Sequence, residues 1–295
     1  MDLAFRPRRA TEIVDAAVRL YLRHFGTCVT LAVVTAVPVL VARLAGLAGA
    51  GGLWSRTQLV GLGVLAAPAF LAYYTLVSAV FAALSDEAVQ TDAPDAARAI
   101  RRALGRAWAC LGVVCLLALI FGAGVLVLGI AAAVFGAAAV LGVGAGANPA
   151  AASVAALGIT AVLVVPAVYV FVRLITAVPA CVVEEAGPVG ALKLAWARGG
   201  GHFWHSFAVL LVCGLVLLVP TLGVAGAGAV LETQASLGAR AAGALVQTGV
   251  SVLTQPFLPL ATQILYYDLR VRAEGYDLEQ MVGALGRGPA APAGA

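Results

Sequence analysis

Charged residues are scarce in this chain. Asp, Glu, Lys and Arg make up 11% of its 295 residues, whereas 62% are hydrophobic. Soluble domains have about 25% charged and about 45–50% apolar residues, so this composition excludes a soluble globular class. Several apolar runs reach the roughly 20 residues that a helix needs to cross a bilayer core about 30 Å thick. The composition therefore predicts an all-α, polytopic membrane protein.

Motifs for catalysis are also missing. The sequence has no GxSxG elbow, no HExxH, no intramembrane pair of aspartates and no phosphate-binding glycine loop followed by lysine. Its longest polar stretches, Ser85 to Arg106 and the tail from Asp268, are shorter than the roughly 50 residues of a small independent domain. We therefore expect no enzyme activity and no cofactor.

The sequence gives no support for a metal site or a nucleic-acid partner. The five cysteines lie in or beside apolar runs without a CxxC motif, which is typical of small buried hydrophobes. His202 and His205 flank Phe203 and Trp204 and have no converging acids, so they indicate an interfacial position. The net charge of +4 is small, and no basic face is long enough to follow phosphates.

The apolar runs predict six membrane-spanning helices. The predicted spans are about 27–48, 59–84, 108–133, 152–183, 203–231 and 242–267. In the last span Pro256 and Pro259 lie beside Gln255 and Gln263, a pattern that resembles the interrupted helices lining transporter sites. A purely structural interpretation stays open, because neighbouring helices and water satisfy the carbonyls that proline frees.

An amphipathic segment precedes every second span. Residues 11–25, 92–106 and 187–201 combine an apolar stripe with basic residues, which predicts helices lying on the membrane surface. In the second of them the predicted apolar stripe is Ala97, Ile100, Leu104 and Trp108. The order of surface helix, span, turn and span occurs three times, so we expect a three-fold repeat.

The distribution of basic residues predicts the topology. Nearly all of them lie on the side of the surface helices, whereas Arg56 and Arg240 lie on the other side. The positive-inside rule then places both termini and the surface helices in the cytoplasm. Arginine far exceeds lysine, which is typical of GC-rich bacteria, so we expect a bacterial inner membrane. Arg43, in the first span, is interpreted as snorkelling to the outer surface.

The end of the last span changes abruptly from apolar to charged residues. Tyrosine is favoured at the level of lipid headgroups, and arginine favours the cytoplasmic side. The predicted interfacial anchor consists of Tyr266, Tyr267, Asp268, Arg270 and Arg272. Its i,i+4 pairs are Asp268 with Arg272 and Arg270 with Glu274. Residues 1–280 are predicted to form the membrane domain and residues 281–295 a disordered tail.

Arg173 is a charge in the middle of an apolar run, where insertion costs about 2.5–3.5 kcal/mol. No Asp or Glu lies within any apolar run. Its partners are therefore expected to be neutral side chains, such as Thr262, or a lipid or substrate phosphate. One interpretation is structural, and the other is a ligand site formed by Arg173, Gln255, Gln263 and Tyr74. Glu184 and Glu185, at the end of the same run, need basic partners such as Arg198 or Arg102.

Several of these residues resemble one known family. The closing motif LYYDLRVRAEGYDLE covers Leu265 to Glu279. Further matching positions are Arg173, Pro179, Glu184, Pro188, Ala191, Trp196, Phe203 and Trp204. Together with the N-terminal surface helix, they resemble the bacterial membrane domain named for glycerophosphoryl diester phosphodiesterases. In some members of that family the six-span domain precedes a phosphodiesterase barrel, whereas many others stand alone. Only a short tail follows the motif here, so we expect no phosphodiesterase activity.

Two functions remain open from the sequence. The first is a non-enzymatic inner-membrane module that contacts anionic membrane lipids or a membrane-protein partner, since three basic surface helices suit anionic headgroups. The alternative is a transporter or lipid-handling protein with a site near Arg173 and the last span.

Overall fold

The computed structural model describes residues 8–49, 56–90, 94–140, 158, 164–232 and 236–274, and their regular structure is entirely helical. The helices are α1 (Ala10–Arg23), α2 (Phe25–Gly49), α3 (Arg56–Gln90), α4 (Ala96–Gly105), α5 (Ala107–Val140), α6 (described for 164–174), α7 (Ala177–Val183), α8 (Pro188–Gly199), α9 (Phe203–Glu232), α10 (Leu237–Thr254) and α11 (Phe257–Glu274). The predicted tail at 281–295 and most of 152–163 lie outside the described residues.

In the described part of the chain, four helical segments are long and apolar enough to cross a membrane. They are Phe25–Leu44, Ala107–Gly124, Val164–Val183 and Phe203–Gly228, with mean hydropathies of 1.9 to 2.7. The chain is therefore an all-helical, membrane-embedded protein. The predicted span at 59–84 lies within α3, and the one at 242–267 is divided between α10 and α11. Six spans and a three-fold repeat stay predictions.

The three surface segments form helices with the expected start signals. At α1, the Glu12 carboxylate accepts a hydrogen bond of 3.1 Å from the backbone N–H of Arg9. At α4, the Asp95 carboxylate accepts one of 2.9 Å from the N–H of Ala97. Helix α8 begins with Pro188, whose missing N–H costs nothing in a first turn. Local capping therefore explains where these helices begin.

The predicted apolar stripe of α4 is largely exposed on the protein surface, as a helix lying on a membrane requires. The structure buries Ala99 and Ala103, whereas Leu104 and Trp108 are 54% and 84% exposed. Arg102 reaches the Asp86 carboxylate of α3. This ion pair and the close packing of small alanines hold α4 against the protein and leave Leu104 and Trp108 on the outside.

Helix α11 packs against five other helices at one end of the molecule, which we call the packed end. Its contacts are with α1, α3, α7, α8 and α9. Helix α1 runs antiparallel beside it: the N–H of Arg8 lies 2.6 Å from Asp268 Oδ1, and the Tyr21 hydroxyl donates to the carbonyl of Leu253 at 2.9 Å. The first surface helix is thus packed along the chain's last described helix.

The predicted fourth and sixth spans are both interrupted. Residues 175–176 separate α6 from α7, and residues 255–256 separate α10 from α11. Pro256 has no N–H to donate to the carbonyl of Val252, so the helix loses a hydrogen bond at this break. Pro38 and Pro220, by contrast, lie inside the continuous helices α2 and α9.

Candidate functional site

Three carboxylates lie on or beside α11, and each is bound by cationic side chains, by hydroxyl groups or by both. The first is Asp86 of α3, which is fully buried. Its Oδ2 lies 2.6 Å from Arg102 Nη1, and its Oδ1 accepts a hydrogen bond from the Tyr267 hydroxyl. The Gln263 amide nitrogen lies 3.5 Å from the same oxygen. Asp86 therefore joins α3, α4 and α11.

The second carboxylate is Glu184, at the end of α7. Arg198 is 5% exposed, and its guanidinium lies 3.1 Å from Glu184 Oε2 through Nη2 and 2.7 Å from Glu274 Oε1 through Nε. Tyr266 donates its hydroxyl to Glu184. Burial alone raises the pKa of Glu184, but the hydrogen bonds from Arg198 and Tyr266 outweigh it and leave that pKa below its usual value. The expected partnership with Arg198 is confirmed.

The third carboxylate is Asp268, in the closing motif. It is 4% exposed and accepts from His205 Nε2 at 2.9 Å, from Arg272 Nε at 2.7 Å and from the N–H of Arg8. Burial raises the pKa of Asp268, but these hydrogen bonds outweigh it, so the pKa is lower than usual. The two i,i+4 pairs, Asp268 with Arg272 and Arg270 with Glu274, are confirmed.

These contacts change the interpretation of the tyrosines. Tyr266 and Tyr267 are 1% and 6% exposed, so their rings lie inside the protein and their hydroxyls bind carboxylates. The sequence signal for this was present, because Asp86 and Glu184 each follow directly after an apolar run. Buried acids at those positions need donors from another helix.

Arg173 has partners other than those expected. Its Nη1 donates to the Tyr169 hydroxyl at 2.9 Å and its Nη2 to the carbonyl of Trp196 at 2.6 Å. The guanidinium carbon lies 3.8 Å from the centre of the Trp196 ring, a cation–π arrangement. A Cβ on Gly199 would lie 3.2 Å from the Arg173 carbonyl, so glycine permits this close packing of α8. The geometry supports the structural interpretation of Arg173.

A cavity of about 390 Å³ lies elsewhere, between α2, α3, α9, α10 and α11. Of the four predicted ligand-binding residues, Tyr74 and Gln255 line it, whereas Arg173 and Gln263 do not. Its remaining lining residues are Ala36, Val39, Arg43, Tyr73, Val77, Ser78, Phe81, Leu217, Thr221, Thr248, Ser251, Thr254, Leu258 and Pro259. The cavity thus lies beside the break between α10 and α11.

Arg43 is the charged residue of this cavity, and sequence reasoning had assigned it to snorkelling. Its Nη1 donates to Oε1 of Gln247 on α10. Its position eighteen residues after Phe25, about 27 Å along a helix, indicates only a depth near the far end of a span, so the sequence held no signal for this contact.

Two thiols from different helices also meet. The Sγ atoms of Cys110 on α5 and Cys181 on α7 lie 3.7 Å apart, and both residues are buried. Within the described part of the chain, no group of three or more His, Cys, Asp or Glu residues converges as a metal site would.

No family model, curated protein or solved structure matches the chain. Function must therefore be argued from the chain's own geometry.

Proposed function

We propose that this chain is a non-enzymatic, six-span protein of the bacterial inner membrane, with both termini and the surface helices α1, α4 and α8 in the cytoplasm. The basic face formed by these helices binds anionic lipid headgroups. The resemblance to the phosphodiesterase-associated membrane domain supports a membrane module of this kind.

The observation that carries this proposal is that three acids at one end of the molecule are buried, whereas most basic side chains of the surface helices are exposed. Asp86, Glu87 and Asp268 are buried, so their charges face inward. The side chains that remain exposed on α1, α4 and α8 include the basic residues Arg9, Arg19, Arg23, Arg98, Arg101 and Lys193. A small net charge on the chain thus becomes a positive face, and each Lys or Arg near an anionic membrane surface contributes about 1 kcal/mol.

Two exposed tryptophans lie close to this face. Trp108 is 84% exposed near the start of α5, and Trp204 is 76% exposed near the start of α9. Tryptophan is enriched at the boundary between lipid and water, because its ring is apolar and its N–H is polar. Their positions support a boundary at the level where the surface helices join the spans.

The test compares the stability of the protein in nanodiscs of neutral lipid with its stability in nanodiscs containing anionic lipid. We expect anionic lipid to raise the unfolding temperature of the wild type. The variant Arg98→Gln/Arg101→Gln/Lys193→Gln should lose most of this increase; Arg98 is 62% exposed and lies 3.9 Å from Glu87, so it is not buried in an ion pair.

Arg240→Gln is the matched control, because Arg240 lies near the opposite end, at the start of α10. It should keep the full increase. Equal stability of the wild type in both lipids, or equal losses in the triple variant and the control, would contradict the proposal.

A second candidate function is transport or handling of an amphiphile. The contacts of Arg173 with Tyr169 and Trp196 give that residue a structural explanation. The cavity beside α10 and α11, with Tyr74 and Gln255 in its wall, is the observation that favours this candidate.

A further inference from the structure

We propose that the cavity between α2, α3, α9, α10 and α11 binds the anionic head of an amphiphile, with Arg43 as the group that binds the negative charge. This site is separate from the basic face formed by α1, α4 and α8, and the inference does not depend on that face.

The size and walls of the cavity suit such a ligand. Small-molecule sites occupy about 300–1,000 Å³, are mostly apolar and carry a few convergent polar groups. This cavity measures about 390 Å³ and combines apolar residues such as Val77, Phe81 and Leu217 with polar ones. The volume fits a headgroup and the first part of an apolar chain.

Among the described residues that line it, the cavity has one cationic group and no acid to neutralise that charge. Arg43 is the charged residue among those that line it, and none of the described lining residues is Asp or Glu. Arg43 donates a hydrogen bond to the neutral amide oxygen of Gln247. An arginine in an apolar helix is costly unless its charge meets water, protein or a ligand. The missing counter-charge therefore favours an anion.

The position of Gln247 is fixed from its other side. A Cβ on Gly228 of α9 would lie 2.7 Å from Gln247 Cγ and 2.9 Å from its Cδ. Only glycine therefore lets α9 approach this side chain so closely. Helix α9 packs against the Gln247 side chain, and the Gln247 amide binds the Arg43 guanidinium. The anion-binding group is thus oriented by α9 and α10.

The remaining polar groups divide into donors and acceptors. The hydroxyls of Ser78, Thr221 and Thr248 donate to carbonyls of their own helices, which leaves their oxygens as acceptors. The Tyr74 hydroxyl and the Gln255 amide are further donors in the wall. A headgroup with negative oxygens meets donors at Arg43, Tyr74 and Gln255.

The cavity is accessible from the side of the molecule. Tyr74 and Leu258 line it and are 45% and 38% exposed. Because α3 is predicted to span the membrane, we expect this surface to face the acyl chains. An amphiphile can therefore place its head against Arg43 while its chain stays in the surrounding lipid.

The test uses purified protein in neutral detergent with four probes: phosphatidylglycerol, phosphatidylcholine, dodecanoate and inorganic phosphate. Thermal unfolding and native mass spectrometry report binding. We expect phosphatidylglycerol or dodecanoate to bind, and Arg43→Gln to weaken that binding about tenfold or more, the range for a hydrogen bond to a charged group. Arg240→Gln is the control for removing a positive charge and should bind as the wild type does.

A second variant keeps the proposal testable if Arg43→Gln fails to fold. Gln247→Glu keeps the side-chain length but places a carboxylate beside Arg43, so it should retain the fold and lose the anionic probe. Phosphatidylglycerol carries a phosphate head and dodecanoate a carboxylate head. Comparing their binding therefore shows which head the cavity prefers. Equal binding of phosphatidylcholine, unchanged binding in both variants, or the same response to inorganic phosphate alone would overturn the proposal.

Discussion

The Arg102 guanidinium lies 2.6 Å from the Asp86 carboxylate, and the Asp86 side chain is 1% exposed. Helix α4, the second surface helix, is therefore bound to α3 through a buried acid. The same carboxylate accepts from Tyr267 of α11. Segments separated by up to 181 residues in the chain therefore meet at one side chain. Buried acids on and beside α11 hold the packed end of this protein together, and the basic residues left outside form the face that we propose binds anionic lipid.

Removing Arg198 should destabilise the protein strongly. Arg198→Ala leaves the carboxylates of Glu184 and Glu274 without their shared cation. Loss of one partner of a buried pair costs about 3–5 kcal/mol. Arg198→Lys keeps the charge but cannot contact both acids in the same way. Its stability should therefore lie between those of Arg198→Ala and the wild type. Thermal unfolding in detergent measures the stabilities of the three proteins. If Arg198→Ala were as stable as the wild type, this ion pair would not contribute to stability.

Acid should unfold the protein through the same carboxylates. The pKa values of Glu184 and Asp268 are lower in the folded protein than in the unfolded chain. Their contribution to stability is therefore fully present above the unfolded values of about 4 and is lost as the pH falls through the folded values. We expect a constant unfolding temperature from pH 7 to about 5 and a steep fall below pH 4.

Asp268→Asn is the matched variant for this pH dependence. It should be less stable than the wild type at neutral pH and lose less stability in acid, because one titrating carboxylate has been removed. An identical acid profile for the two proteins would show that Asp268 does not contribute.

Two tyrosine variants should lower the stability of the protein by different amounts. Tyr267→Phe removes a donor from the buried Asp86 carboxylate, and hydrogen bonds to charged groups contribute about 1.5–3 kcal/mol. Tyr21→Phe removes a donor from the neutral carbonyl of Leu253, which costs about 1 kcal/mol. Unfolding temperatures should therefore rank wild type, Tyr21→Phe and Tyr267→Phe in descending order. The reverse ranking of the two variants would place the important contact at the break between α10 and α11.

The packing of α5 against α7 can be tested with an oxidant. Cys110 and Cys181 have Sγ atoms 3.7 Å apart, whereas a disulfide needs about 2.05 Å, so a small shift suffices. A membrane-permeable oxidant such as diamide should join them within one chain and consume two of the five thiols. Cys110→Ser should prevent this loss. A disulfide between another pair of cysteines would contradict the placement of these helices.

The sequence predicted the helical elements better than their orientation. Apolar runs and capping residues such as Asp95 and Pro188 indicate where helices lie, because these signals are local. The burial of Ala99 and Ala103 in α4 was not predicted, because it depends on the contact between Arg102 of α4 and Asp86 of α3. No local pattern reports which face of a helix meets a buried acid.

The candidate site was predicted in part for the same reason. Gln255 was proposed from the broken, polar last span and Tyr74 as a neutral partner of Arg173, and both line the cavity. Arg43 was treated as snorkelling, because its sequence position alone shows nothing of Gln247 and Gly228, which lie about 200 residues later. Arg173 was expected near the last span, but Trp196 of α8 is closer and satisfies it.

Native mass spectrometry of the protein extracted from its own membrane in mild detergent tests the central claim most directly. The measured quantity is the ratio of anionic to zwitterionic lipid retained by the protein, compared with the same ratio in the whole membrane. We predict enrichment of anionic lipid on the wild type and a return toward the membrane ratio in Arg98→Gln/Arg101→Gln/Lys193→Gln. Retained lipid with the composition of the bulk membrane would contradict the proposed binding of anionic lipid.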